Sequence, residues 1–367
     1  MATREILSFK KLNANADQVV GAEGYKLYLK DSTVITDTMS GLWCTSLGYS
    51  NSKIKVAITE QLSKLPYGSN FSGNQNEITE NYANKLCEVT GMDRVYFTNS
   101  GSAAVETAIK ITCRNIAICS KHSYHGSTIL SANVSDQGIN KFWNIQNPMS
   151  TFKFENHEDL YSILNQSSYH DMAFVIIEPV IGAGGVYQHK LEVFNLLKKW
   201  QDNGGIVIFD ETVTGFGKLG TMFATEKYDF KPDILVLGKG ITNGYFPMGA
   251  CLINERIEKS VKMFNHGFTY SGHPVGCAAA LETIREIDKL DLEHKQINGI
   301  TRQYGCMGAI DFETPRQSLT FIKKMREKGY ILEDGSENVS TAVFCLPYIF
   351  QEHNEFEEAI KCTITDM

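Results

Sequence analysis

Residues 206–211 read Ile-Val-Ile-Phe-Asp-Glu and residues 234–240 read Ile-Leu-Val-Leu-Gly-Lys-Gly. Each is a short unbroken apolar run that stops on a charged residue. Continuous Val/Ile/Leu runs of four or five are what strands covered on both faces look like, because neither face can tolerate the polar residue that an alternating pattern would place there. Further runs of the same kind occur at Arg94–Phe97, Ile116–Cys119, Met172–Ile177 and Ala250–Ile253, and between them lie helical patterns at Ser102–Ile111 and Leu191–Asp202. Strands alternating with helices predict a mostly parallel sheet with helices on both faces, an α/β fold. Ligands of such sheets bind beyond the carboxyl ends of the strands, so Asp210 and Lys239 fall at the expected edge.

The flanks read differently. Before about Asn70 there is one β-like segment, Lys26–Leu29, and an amphipathic helix, Ile54–Leu65. After about Leu281 come helix, strand (Gly308–Phe312), helix (Pro315–Lys328), strand (Ala342–Leu346) and helix. This order predicts a large domain over 71–280, with 1–70 and 281–367 contributing together to a smaller α/β domain. At 367 residues the chain exceeds what one small core supports. The 43% apolar and 21% charged fractions are those of a folded globular protein and exclude a disordered chain. Lys+Arg 35 against Asp+Glu 42 leaves a net charge of −7 with no basic run, so a nucleic-acid or anionic-membrane footprint is not expected. The nine cysteines are scattered, never C-x-x-C, which predicts a reducing cytoplasm. The opening Met-Ala-Thr-Arg-Glu lacks the basic and apolar run of a signal peptide, and no apolar stretch approaches the roughly 20 residues that span a bilayer.

Other strand ends carry chemistry too. Asn99-Ser-Gly-Ser102 follows one strand and opens a helix, where backbone N–H groups, a small Gly101 and the Ser102 hydroxyl can cradle a phosphate; a plain serine N-cap is the alternative. Tyr124-His125-Gly126 follows Ile116–Cys119 and offers an aromatic face, or simply a core tyrosine. Glu178-Pro179 leads into the glycines 182, 184 and 185. An acid and a lysine at one edge fit an ion pair, a phosphate site or a Schiff-base cofactor whose far side needs an anion. Gly215-Phe-Gly-Lys-Leu-Gly220 also matches a dinucleotide fingerprint, although it starts five residues beyond its strand, and Cys119, His122 and His125 have metal-like spacing.

Together, Ser100-Gly-Ser102 with Glu106 and Lys110, Tyr124-His-Gly126, Glu178-Pro179, Asp210-Glu211 with Thr214-Gly-Phe-Gly217, Gly238-Lys-Gly240 and His266-Gly-Phe-Thr269-Tyr-Ser-Gly-His-Pro274 resemble, in order and rough spacing, the class III aminotransferases, which use pyridoxal 5'-phosphate (PLP). The resemblance runs from about Gly21 to about Glu358. It implies fold type I of the PLP-dependent transferases, with a large sheet domain and a smaller one. It also implies that Lys239 carries PLP and moves the proton, that Asp210 faces the pyridine nitrogen, that Gly101 and Ser102 cradle the phosphate, and that Tyr124 stacks on the ring. His125, Glu178 and Thr212 complete the cofactor pocket; Thr212 stands where the family usually has valine. Trp43 would line the substrate pocket with Tyr124. Thr269 resembles the threonine that reaches the phosphate of the other subunit's cofactor, which implies a homodimer with shared sites.

Substrates would be an amine or amino acid donor and an oxo acceptor. Ser100–Glu106, Asp233–Lys239 and Leu346-Pro-Tyr-Ile349 lean toward the biotin-pathway branch, adenosylmethionine-8-amino-7-oxononanoate aminotransferase, while Gly41–Tyr49 and Leu65-Pro-Tyr67 look equally like the ω-amino acid:pyruvate branch. An aminomutase and a non-catalytic PLP-fold protein are the further alternatives. Ser127 replaces the acid expected in the biotin enzyme. No arginine aligns near Glu333 or Val343, where members bind a substrate carboxylate, and the chain is short between Lys110 and Tyr124 and at its C-terminus.

Overall fold

A computed structural model describes residues 17–70, 74–136, 148–166, 171–261, 264–336 and 339–367. The first five residues, read above against a signal peptide, lie outside them. The central sheet has seven strands in the order Arg94–Thr98, Gly249–Ile253, Ile234–Leu237, Ile206–Asp210, Ala173–Ile177, Ile116–Ser120 and Ser150–Phe154. Only Gly249–Ile253 runs antiparallel to its neighbours; the other pairings are parallel. The sheet is therefore mixed but mostly parallel, an α/β fold as the apolar runs predict.

Alternation along each strand divides the core in two. Val175, Ile177, Val207, Phe209, Leu235 and Leu237 face the layer that contains the helices Glu77–Thr90, Leu191–Asp202 and Pro274–Ile287. Phe174, Ile176, Ile206, Ile208, Ile234 and Val236 face Ala104, Val105, Ala108 and Ile109 of the helix Gly101–Thr112. These strand residues are fully or nearly fully buried, and each contributes about 1.5–3 kcal/mol relative to exposure. The hydrophobic effect thus fixes the register that sends Asp210 and Lys239 to one edge. Asp210 pairs with Val236, three residues before the lysine.

Two antiparallel sheets flank this block. Val19–Glu23, Lys26–Leu29 and Val34–Thr36 form one. Arg302–Tyr304, Met307–Asp311, Val339–Cys345 and Glu333–Ser336 form the other, covered by the helices Pro315–Glu327 and His353–Thr365. The two ends of the chain meet directly: Thr36 N donates to Gly329 O (2.8 Å) and Cys345 N donates to Thr38 O (2.7 Å).

Candidate active site

Asp210 ends its strand almost wholly buried, 3% exposed. A carboxylate there needs partners, and it has two: Thr212 N donates to Oδ1 (3.0 Å), and His125 Nδ1 bonds Oδ2 (2.8 Å). The imidazole is held in turn by its own backbone, whose N–H donates to Ser135 Oγ (2.8 Å). Because Nδ1 is committed to Asp210, Nε2 is left as a buried atom without a hydrogen-bond partner among the described residues.

Glu178 closes the same corner. Its two oxygens accept from Tyr124 N (2.9 Å) and Gly182 N (3.1 Å), so this one carboxylate holds the Tyr124–Gly126 turn and the glycine loop together. Burial pushes its carboxyl upward, with His125 opposing and Asp210 adding to the rise. The Tyr124 hydroxyl is raised as well, first by burial and then by Asp210 and Glu178, while a hydrogen bond to Ser127 opposes. Next along, Glu211 is fully buried against the N–H groups of Ala224 (2.6 Å) and Thr225 (2.8 Å), and burial lifts it to about 7.

Lys239 follows its strand directly and opens a single 3-10 turn, Lys239–Thr242, with φ 42. That left-handed backbone is uncommon for a residue with a side chain and marks a position held by its surroundings. The residue is half-buried. Burial depresses the ammonium; Cys44, Glu178 and Asp210 pull it back up, and Lys218 presses it further down. A lysine biased toward its free-amine form is a nucleophile and a base.

Beside it lies a tight glycine floor. A Cβ on Gly101 would stand 2.8 Å from Thr212 Cγ2, and one on Gly238 would stand 3.1 Å from both Gly101 Cα and Thr212 Cγ2. Ser100 caps the helix that begins at Gly101, accepting from Ala103 N (3.2 Å). Ser102 Oγ accepts from Ser127 N (3.2 Å), and a Cβ on Gly126 would reach within 2.3 Å of that oxygen. The helix thus begins on a glycine packed against Thr212, with the Ser102 hydroxyl at its edge.

The structure thus brings Gly101, Ser102, Tyr124, His125, Glu178, Asp210, Thr212 and Lys239 to one sheet edge. Thr269 is elsewhere: its carbonyl accepts from the Tyr67 hydroxyl (3.0 Å), and no hydrogen bond among the described residues links it to the Lys239 group. Trp43 is 3% exposed and joins an apolar cluster with Met39, Val180 and Val213. The rival motifs disperse. Gly217 N donates to Met222 O (3.0 Å), so the Gly215–Gly220 run forms a local turn with no α-helix opening from it among the described residues. Cys119 lies buried within its strand while His125 serves Asp210.

A matching family model, aminotransferase class-III, covers residues 12–363. The chain belongs to the class III aminotransferase family. It is 32% identical over 327 residues to γ-aminobutyrate transaminase 3 of Solanum lycopersicum, covering 77% of this chain and 62% of that protein. It is also 32% identical over 305 residues to vanillin aminotransferase of Capsicum annuum, covering 72% of this chain and 66% of that protein. This class III chain spans about three fifths of the length of the first of these relatives. Among solved structures, an amine transaminase from an uncultivated Pseudomonas species, in its PLP-bound form, superposes with TM-score 0.91 at 25% identity over 100% of this chain and 99% of that one.

Two residues that matter here carry no motif in the sequence. Cys44 lies near enough to Lys239 for each to alter the other's titration. Asn243, left-handed at φ 50, accepts from Leu47 N (2.9 Å) and donates to Gly48 O (2.9 Å), tying the Trp43–Tyr49 loop to the Lys239 turn.

Proposed function

We propose that the protein is a PLP-dependent transaminase acting on amines and ω-amino acids, with an oxo acid or aldehyde as amino acceptor. The observation that carries this reading is the buried Asp210–His125 pair at the strand end next to the strand that delivers Lys239. The residues fit the cofactor that the family uses: an orphaned polar atom on His125, a helix that begins on Gly101 and a buried carboxylate stand at one edge. Gly101 and Ser102 would hold the phosphate, and Tyr124 would cover the ring. Bound there, PLP supplies a ring that withdraws electrons from the substrate carbon bearing the nitrogen. Asp210 would hold a proton at the ring nitrogen, its own position fixed by His125 and Thr212 N. Lys239 would bind the cofactor covalently, accept the proton from the substrate carbon and return it. Burial shifts it toward the free amine, the form that both tasks use.

For the substrate, two cationic side chains near the site, Arg302 and Lys218, are already engaged among the described residues. Arg302 Nε donates to Gly185 O (3.0 Å) and Val186 O (2.9 Å), and its guanidinium pairs with Asp311. Lys218 is fully buried and donates to Gly215 O (3.3 Å). Near Glu333 and Val343, where the resemblance calls for an arginine, none aligns. A compact α-carboxylate therefore lacks a bidentate partner, which favours simple amines and substrates whose carboxylate lies far from the reacting carbon. The names of the relatives, γ-aminobutyrate, vanillin and amine transaminases, point the same way and away from the biotin-pathway step. A half-reaction screen tests it by following the absorbance of bound PLP as single donors are added. γ-Aminobutyrate and aryl-alkyl amines should convert the cofactor fastest; exclusive response to S-adenosylmethionine would restore the biotin-pathway reading, and preference for ordinary α-amino acids would refute the charge argument.

The placement of Thr269, apart from the Lys239 group in its own chain, supports a homodimer in which it serves the partner's cofactor. Thr269→Ala should then weaken PLP retention without disturbing the Lys239 amine. Retention equal to the parent protein, measured by dialysis, would remove Thr269 from the site.

A further inference from the structure

One chemical cluster lies outside the transamination machinery. Tyr304 faces Met307, so Gly305 and Cys306 form a two-residue hairpin turn between Arg302–Tyr304 and Met307–Asp311. A turn position releases the Cys306 side chain from the alternation of the flanking strands. Cys345 ends the neighbouring strand, with Met307 facing it. Their Sγ atoms come within 3.4 Å, and the two residues are 1% and 0% exposed.

Lys218 lies against this pair. Its carbonyl accepts from Cys306 N (3.0 Å), and a Cβ on Gly305 would stand 2.0 Å from the same oxygen, so only glycine allows the approach. The Lys218 ammonium is fully buried, and its one hydrogen bond among the described residues goes to Gly215 O. A buried cation with a single neutral acceptor is costly and is relieved by a nearby anion. Beside the Lys218 carbonyl, the Cys306–Cys345 pair can supply such an anion as a thiolate. Burial raises the Cys345 thiol, but the Cys306 hydrogen bond and the Lys218 charge outweigh it and leave the group below its ordinary value. Cys306 is pushed up, by burial first and then by Cys345. The pair can thus carry one thiolate beside Lys218, with the second sulfur in contact with it as its thiol partner.

We propose that Cys306 and Cys345 form a redox modification site, at which a small hydroperoxide converts the thiol pair into an intrachain disulfide beside Lys218. In the first step the Cys345 thiolate attacks one peroxide oxygen, the O–O bond breaks, and the leaving hydroxide takes a proton to depart as water. Cys345 is then a sulfenic acid. In the second step the Cys306 sulfur attacks that of Cys345, the S–O bond breaks, and a second water leaves with the Cys306 proton. In sum, two thiols and one hydrogen peroxide give one disulfide and two waters. The sulfurs must close from 3.4 Å to about 2.05 Å. Both backbones are held, Cys345 through its N–H to Thr38 O and its carbonyl to Ser40 Oγ (2.8 Å), and Cys306 through its N–H to Lys218 O (3.0 Å) and its carbonyl to Leu346 N (2.9 Å), so the closure comes from rotation of the two side chains.

The test treats the PLP-loaded full chain with hydrogen peroxide, alkylates the remaining thiols and maps peptides without reduction. A single Cys306–Cys345 link that dithiothreitol reverses is expected, although Cys113 is the cysteine exposed to solvent. Cys306→Ala should yield no link and instead a Cys345 sulfenic acid trapped by dimedone. Lys218→Met, with its fold checked by circular dichroism, should slow the linking about tenfold, as the thiolate loses its counter-charge. A reduced Cys306–Cys345 pair at a dose that oxidises Cys113, or a link that forms only after unfolding, would overturn the proposal.

Discussion

Replacing Lys239 by alanine should lower transamination by about ten-thousandfold or more while the fold persists, because one side chain is assigned both the covalent hold on the cofactor and the proton transfer. The neighbours cannot substitute. Lys218 is sealed in the core and Arg302 is engaged by Gly185, Val186 and Asp311. Steady-state assay of the PLP-supplemented variant with its best donor provides the measurement. Residual activity within tenfold of the parent would mean that Lys239 does not carry out the chemistry. The variant should also restore the Cys44 thiol to a higher pKa, since the Lys239 charge is what opposes burial there most strongly.

Asp210→Asn is the second large effect. Asparagine has one carbonyl oxygen, so it can keep the contact to Thr212 N or the one to His125 Nδ1 as an acceptor but not both, and it removes the carboxylate charge. PLP should remain bound through the helix N-terminus and Lys239. The proton-abstraction step should slow by about a hundred- to a thousandfold, the scale on which loss of one aligned electrostatic partner is felt. Stopped-flow measurement of the amine half-reaction separates this from simple cofactor loss. A near-normal rate in a fully loaded variant would exclude Asp210 from the mechanism.

The parts of the fold legible in the sequence are those governed by burial. Ile206–Phe209 and Ile234–Leu237 announce themselves because both faces are covered, and the charged residues that end them then fall at the binding edge without further information. Ser150–Phe154 is a sheet strand that the same reasoning misses, since Ser-Thr-Phe-Lys-Phe sits at the edge and need be apolar on one side only. Glu333–Ser336, Glu-Asp-Gly-Ser, is held by pairing to Val339–Cys345 and carries no apolar signal at all. In the site, Asp210, Glu178 and Lys239 were visible as strand ends. The bond from His125 to Asp210 joins residues 85 positions apart, and the Asn243 clamp on Leu47 and Gly48 spans nearly 200, so neither leaves a local pattern. The glycine run 215–220 shows the converse: a fingerprint that matches in letters but forms a turn because Gly217 bonds Met222 instead of opening a helix.

The central claim is that the amine at residue 239 is the one that takes the cofactor, and borohydride reduction of the PLP-loaded protein tests it directly. Reduction followed by proteolysis and mass mapping should place the cofactor on the peptide containing Lys239 and on no other. Recovery of the label on Lys218, the buried lysine whose charge bears on the Lys239 amine, or on a surface lysine would contradict the account.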